Sequence, residues 1–498
     1  MRFFNFFKPV SSVVGYSYSV WGNKGLVDPF AFPVMRDYYP DEFEEAMKFT
    51  KGGASSYEVQ RIFEDMASGP QNDDIEISAE DQWFLDEATS KVKSMLGSWK
   101  VEPLELKDAM NRLHHDTSAG FGYRGLKKGE CLDQIYEQAR MVEINAMDLV
   151  PQEPIPMMLA TRAIMYDWTK PKQRVTFVGA SAIVVNEQKF VAPVIEKMKT
   201  IPNYPIMFGK NVIPRLSKMH NQTPFPKGSY SCELDISKMD RNLRTATIRR
   251  GVDVMENMID FDHWKGKKLR EAQKKRWMRT WFFVVYYLLH TPVMKPNGEI
   301  QFLDGAMPSG SSFTQLIESI ISMIMFVFFS LKYGFGIYDL KVLGDDCKAI
   351  TQGRPRQEDI AECYLRTFSA VLNTVKTKIR RADREGPEFL GYQFRNGFLY
   401  RPTMDWFKLM LHPENEVKDL ATSFSRLTAY MFLGGVNDVQ FIRFFEHYQG
   451  SYPLENWEFV KTRDMKAKML YGGMNFPIKK LLEYTVDDYV MSLITFKD

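Results

Sequence analysis

The 498-residue chain is poor in metal-binding and cross-linking side chains: four cysteines (Cys131, Cys232, Cys347, Cys363) and seven histidines. No two cysteines stand in a C-x-x-C pair, which argues against a disulfide framework and a structural zinc site and fits a reducing cytosol. Charge of one sign is lacking too. With 65 Lys and Arg against 62 Asp and Glu the formal net charge is only +3, so no global basic character announces nucleic acid. Long apolar runs are missing: Trp281–Leu289 and Ile320–Leu331 are the longest and fall short of the ~20 residues a bilayer span needs. They read as buried helices, and no membrane partner is expected. Met1–Lys8 carries phenylalanines but no continuous apolar core, so it is not a secretory signal. There is no GxxxxGK[ST] phosphate loop, which excludes a fused helicase or NTPase, and there are no repeats or low-complexity tracts.

What is present is a hydrophobic fraction of 45% with 14% aromatics, enough for two or three ordinary domains or one large enzyme with subdomains. Basic residues are clustered at Lys265–Lys268, Lys274–Arg276 and Lys376–Arg384, so nucleic-acid affinity is expected from local channels; for 265–279 a solvated helix face is an equal alternative.

The chain is organised around Leu340–Ile350, where Gly344-Asp345-Asp346 interrupts two apolar runs. This predicts strand, tight turn, strand, with two acids at a hairpin tip. Gly-Asp-Asp alone would arise about 0.1 times by chance in such a chain, so its upstream context decides. Ser231–Asp240 is a second short strand ending at Asp235, with Asp240 five positions on. Two neighbouring strands each delivering an Asp suit a pair of divalent ions about 3.5–4 Å apart, the arrangement used for nucleotidyl transfer. Mg²⁺ prefers such oxygen ligands and few protein carboxylates. Between the two acid strands lies Gly305–Thr314, a Gly/Ser/Pro loop entering an apolar helix. Its backbone is expected to approach a ligand closely at a helix N-terminus.

The order Asp235-x4-Asp240, then Ser309-Gly310-x3-Thr314, then Gly344-Asp345-Asp346 resembles the palm of viral RNA-dependent RNA polymerases. Thr117-Ser118-Ala119-Gly120-Phe121 looks like that family's template-entry loop. Lys170-Pro171-Lys172-Gln173-Arg174 looks like its basic finger motif, and Phe389-Leu390-Gly391-Tyr392 like its primer-supporting hairpin. The likeness spans roughly residues 111–401 and its wording looks closest to small double-stranded RNA viruses of the partitivirus and picobirnavirus kind.

The resemblance implies an α/β (α+β palm) right hand with fingers, palm and thumb, encircled by an N-terminal arm. The expected division is arm 1–60, fingers 61–225, palm 226–262, fingers insertion 263–304, palm 305–401, and thumb and tail 402–498. It implies template-dependent RNA synthesis from NTPs with two Mg²⁺ (or Mn²⁺) ions held by Asp235, Asp345 and Asp346. Lys170, Lys172 and Arg174 would steady the triphosphate, and Asp240, Ser309, Gly310 and Thr314 the nucleotide's sugar side. Thr117, Ser118 and Gly120 would touch template, and Phe389 and Gly391 the product strand. Lys376 would protonate the leaving pyrophosphate, with Lys378 as its rival. RNA template and product, a viral capsid protein, and a virion-interior or host-cytoplasmic location follow as partners and place. Many relatives carry an Asn four residues after the motif's Thr; here Glu318 stands there and Ser322 at a later alternative place. The alternatives kept open are a reverse transcriptase-like palm polymerase and a non-enzymatic RNA-binding, capsid-associated protein on the same fold.

The remaining expectations concern local structure. Residues 1–60 read as an extended arm. The stretch from Trp83 through Val92 reads as a surface amphipathic helix. Lys170, Lys172 and Arg174 read as one face of a strand that continues into Val175–Val178. Leu420, Phe424, Leu427 and Tyr430 share one face of a thumb helix, and Tyr484–Asp498 is a docked helix or a priming platform.

Overall fold

The structure is a computed structural model that describes residues 4–9, 17–20, 25–68, 76–123, 125–208, 225–382, 388–395 and 398–452. The tail 484–498 named above lies outside the described residues.

The centre is a four-stranded antiparallel sheet in the order Gly336–Leu343, Asp346–Gln352, Ser229–Leu234, Lys378–Arg381. The first two strands form the expected hairpin, turned at Gly344 and Asp345, with Gly344 at φ +64°. That left-handed backbone is open to glycine at little cost. Behind the sheet runs the helix Thr314–Tyr333, buried from Thr314 to Ser330 at every position except Gln315. By length and composition it could cross a membrane, with mean hydropathy 1.8 over its best window. The run counted in the sequence begins only at Ile320 because Glu318 and Ser319 interrupt the apolar letters without interrupting the helix. Its window is 83% buried inside the protein, against the sheet and the helices Ala79–Leu96 and Thr245–Glu256. The helix containing Trp83 is therefore more than a surface helix: Leu85, Ala88, Val92 and Leu96 are buried while Trp83 points outward.

A second four-stranded sheet has the order Ile300–Asp304, His290–Met294, Met157–Thr161, Val175–Val178. Lys170, Lys172 and Arg174 precede its last strand in a turn and an irregular segment, not on a strand as expected. Pro171 explains the difference: it has no N–H for a ladder, so pairing starts only at Val175.

The first 60 residues also depart from expectation. Helices occupy Ala31–Tyr38 and Pro40–Met47, and a short strand, Phe49–Gly52, pairs with Ile164–Asp167. Asp28 starts the first helix by accepting from the N–H groups of Phe30 and Ala31 at 3.1 and 3.2 Å, and Pro40 suits the first turn of the second. Both helices share a second hydrophobic core with the helices Thr403–Leu411, Leu420–Phe432 and Val439–Ser451. Phe424, Leu427 and Tyr430 are buried in it as the spacing predicts. The buried Asp28 carboxylate accepts from Arg426 at 2.5 Å and from the Ser423 hydroxyl at 2.8–2.9 Å.

Candidate active site

Asp235 follows directly after the strand Ser229–Leu234, and Asp346 opens the strand beside it. The register pairs Leu234 with Cys347, so one step further places Asp235 opposite Asp346. Asp345 sits in the turn next door. A cleft of about 430 Å³ is lined by Asp235, Asp240, Glu318 and Asp345 together with Lys172, Arg174 and Lys376. Five chain segments spread over about two hundred residues thus bring six of the expected residues, Lys172, Arg174, Asp235, Asp240, Asp345 and Lys376, to one place, with Glu318 beside them. Lys170 stays in the exposed turn and does not line the cleft.

The acids repel one another. Neighbouring protein that displaces its water, then Asp345 and Asp235, push the Asp346 carboxyl up to about 7, although its side chain keeps an exposed face. Asp345 and Asp240 are also raised, chiefly because neighbouring protein displaces their water, although both open onto the cleft; Arg174 opposes the rise in each. Buried Glu318 is raised well above the usual carboxylate range by burial and by Asp345 and Asp240. Lys376 donates to Asp235 at 3.0 Å, whereas Lys378 is engaged with Glu388 at 2.5 Å.

Among the described residues no three acidic, histidine or cysteine side chains stand together as a ready-made metal cage. The donor chemistry nonetheless fits a hard divalent ion: carboxylates without thiolate or imidazole, on adjoining strands, raised by mutual repulsion that a cation would relieve.

Glu318 and Ser322, left undecided by the sequence, have separate places. Glu318 lines the cleft. The Ser322 hydroxyl donates to the Gly344 carbonyl at 2.8 Å, and the Gly344 N–H donates to Ser319 Oγ at 2.7 Å. Two serines one helical turn apart thus grip the acid-bearing turn from beneath.

The Ser-Gly loop differs from expectation. Its polar groups bond within the protein instead of offering an open helix N-terminus, although Ser309 is exposed. Ser309 Oγ accepts from the Phe177 N–H at 3.2 Å, and the Thr314 hydroxyl donates to the Pro308 carbonyl at 2.6 Å. A Cβ at Gly310 would stand 2.7 Å from backbone atoms of Gly179 and Phe177, so the close approach served by this glycine is to another strand. The group that meets the loop's donors is Glu187, wholly buried on the helix Ser181–Lys199. Composition offered no signal for it, since a glutamate between Asn186 and Gln188 reads as a polar surface.

In the template-entry segment, Thr117 is half-buried with its hydroxyl on the His114 carbonyl at 2.7 Å, and Ser118 is exposed. Gly120 is buried at φ +83°. Phe389 and Gly391 flank a tight hairpin turn between Glu388–Phe389 and Tyr392–Arg395, and they line a cavity of about 290 Å³ shared with Asp235, Asp346 and Lys376.

An antiparallel sheet presenting acids at one edge, a helix behind it and cations facing the acids is the construction of a template-directed nucleotidyl transferase. Residues 59–449 match the family of viral RNA-dependent RNA polymerases, and the chain belongs to that family. It is an enzyme of RNA-directed RNA synthesis, acting on RNA template and NTPs, and the family sets aside the reverse-transcriptase alternative. No curated protein sequence matches the chain. Among solved structures, the RNA-dependent RNA polymerase of a human picobirnavirus matches with a TM-score of 0.63 at 15% identity, over 87% of this chain and 85% of that one. An insertion-loop deletion mutant of the human picobirnavirus polymerase gives 0.62 at 14% identity, over 95% and 94%. The fold is the right-hand polymerase fold.

Proposed function

We propose that Asp235, Asp345 and Asp346 hold the divalent ions, Mg²⁺ or Mn²⁺, of the polymerase reaction. The observation that carries this reading is the single cleft in which Asp235 and Asp345 face Lys172, Arg174 and Lys376. When bound, the ions supply charge neutralisation and activation of the attacking hydroxyl. The growing strand's 3′-hydroxyl attacks the α-phosphate of a paired NTP; the new P–O bond forms as the bond to pyrophosphate breaks. Lys172 and Arg174 bind the triphosphate, Arg174 as a planar donor fork. Lys376 holds the proton delivered to the leaving pyrophosphate, a role favoured over Lys378 by its contact with Asp235. Lys170 acts farther out, where the triphosphate enters.

Asp240 is the sugar-facing group, since it lines the cleft; Ser309, Gly310 and Thr314 serve by shaping the loop. Thr117, Ser118 and Gly120 guide template, and Phe389 and Gly391 support the product strand beside the acids. The subdomain division given above goes with these roles, with one amendment: residues 31–47 share the thumb's core. The likeness in fold to picobirnavirus polymerases supports a small double-stranded RNA virus as source, a capsid protein as partner, and action in the virion interior or host cytoplasm.

The test is labelled-nucleotide incorporation on single-stranded RNA with Mg²⁺ or Mn²⁺, offering NTPs and dNTPs separately to wild type and Asp345→Ala. NTP-specific, template-dependent product that the substitution abolishes supports the assignment. Undiminished synthesis by a folded Asp345→Ala protein sinks it.

A further inference from the structure

The Ser-Gly loop and the segment carrying Lys172 and Arg174 are far apart in sequence and are joined by contacts that the reaction itself does not require. Gly179 lies just past the strand Val175–Val178 that Arg174 leads into. A Cβ at Gly179 would stand 2.3 Å from the Gly310 carbonyl oxygen, and one at Gly120 would stand 2.6 Å from the Gly179 carbonyl oxygen. Three backbones therefore meet there with no room for a side chain. The Ser181 hydroxyl adds a bond to the Ala119 carbonyl at 2.6 Å.

Glycines permit this approach but do not fix it. Two turns along the helix from Ser181, Glu187 reaches the Ser-Gly loop with both oxygens. Oε1 accepts from the Ser311 hydroxyl at 2.8 Å and Oε2 from the Ser312 N–H at 2.6 Å. Gln188 donates to Ser312 Oγ at 3.0 Å, and Ser311 Oγ in turn accepts from the Phe313 N–H at 3.2 Å. A carboxylate this deeply buried is costly to ionise, and burial raises Glu187 to about 7 against the pull of its serine bonds. An amide or an apolar residue would fill the same space with less electrostatic penalty, so its role is sought in what its two acceptors hold.

We propose that Glu187 is a positioning residue for the nucleotide site, pinning the Ser-Gly loop to the helix and strand that follow Arg174 so that the loop and the triphosphate-binding cations keep one fixed geometry. It touches no substrate. It acts through Ser311 and Ser312, which hold Gly310 and Ser309 against Phe177 and Gly179. The proposal rests on the assignment of Arg174 to the NTP, and the test separates the two.

The experiment measures KM for NTP, kcat and Tm on a primed RNA template for wild type, Glu187→Gln, Ser311→Ala, Arg174→Ala and the Glu187→Gln/Arg174→Ala double variant. Gln keeps the shape but has one acceptor oxygen in place of two. Losing a hydrogen bond to a charged group corresponds to about a tenfold change. The expected result for Glu187→Gln is KM raised about tenfold, kcat within about threefold of wild type and Tm within a few degrees. Ser311→Ala, which removes one of the two contacts, gives a smaller rise of about threefold. Because both residues act on one geometry, the double variant rises by less than the product of the single effects. If Arg174→Ala raises KM while Glu187→Gln and Ser311→Ala leave it unchanged, the positioning role is overturned. A parallel fall in kcat and Tm at unchanged KM also overturns it, since that is the mark of a merely structural residue. If Arg174→Ala leaves KM unchanged, the underlying nucleotide assignment fails instead, and the proposal fails with it.

Discussion

The two glycine loops of the site are built in opposite ways. At Gly344-Asp345-Asp346 the backbone is held from behind by Ser319 and Ser322, and the side chains are turned out, Asp345 into the cleft and Asp346 into the neighbouring cavity, with their charges only partly relieved by Arg174 and Lys376. At Ser309–Thr314 the polar atoms are paired within the protein, by Phe177, Glu187, Gln188 and Pro308, and Ser311 and Thr314 are buried while Ser309 is exposed. One loop is a presenting device and the other a spacer. The acids are free to respond to a ligand because nothing in the protein neutralises them fully, whereas the second loop has given its polarity to the framework. A raised carboxylate in the first loop marks reactivity; Glu187, raised on the helix that meets the second, marks support.

The contrast is broken most severely by removing an acid. Asp345→Ala is expected to lower incorporation by more than about a hundredfold, the scale of losing one electrostatic catalytic group. Its Tm should hold or rise, because a mutually repelling charge is removed; primer extension and thermal melting check both. Gly310→Ala comes next. Its Cβ would fall 2.7 Å from backbone atoms that cannot swing aside, so a loss of about 1–3 kcal/mol from overpacking is expected by urea unfolding. Ser322→Ala removes one buried bond to the Gly344 carbonyl and should lower stability by about 1 kcal/mol. Because that bond steadies the turn, kcat should fall with it. The smallest effect is in pH. Glu187 has a folded-state value near 7 against 4.5 for an ordinary glutamate, so between those values the folded protein holds more of its proton than the unfolded chain does. Stability from this group is therefore largest below about pH 4.5 and declines as pH rises to about 7. The Tm advantage of wild type over Glu187→Gln should shrink across that window; an advantage that grows with pH would contradict the burial described.

The presenting loop was legible in the sequence; the spacer was located there as a Gly/Ser/Pro loop, but the partners that hold it were not, for a physical reason. Gly344, Asp345 and Asp346 gain their meaning from Asp235 upstream, because a turn glycine followed by acids is distinctive only beside a second acid-bearing strand. The apolar helix after the Ser-Gly loop was equally plain in its burial. Glu187 carried no such mark: its importance lies in meeting a loop 124 residues away, and a single chain records composition, not contact. The basic segment was misread as strand because alternating cations outweighed Pro171. The N-terminal helices were missed because their apolar faces make sense only against the C-terminal helices.

That last pairing has a consequence for how the chain comes into being. The second core needs residues 31–46 and residues 389–448 together, and its buried Asp28–Arg426 link closes a separation of 398 positions. During synthesis at about 5–20 residues per second, the early helices must wait roughly 20–80 s before their partners exist. Until then they present an unmatched apolar surface, which a chaperone or an aggregating neighbour can occupy. Pulse-labelled nascent chains should gain protease resistance in that segment only after the C-terminal helices have left the ribosome.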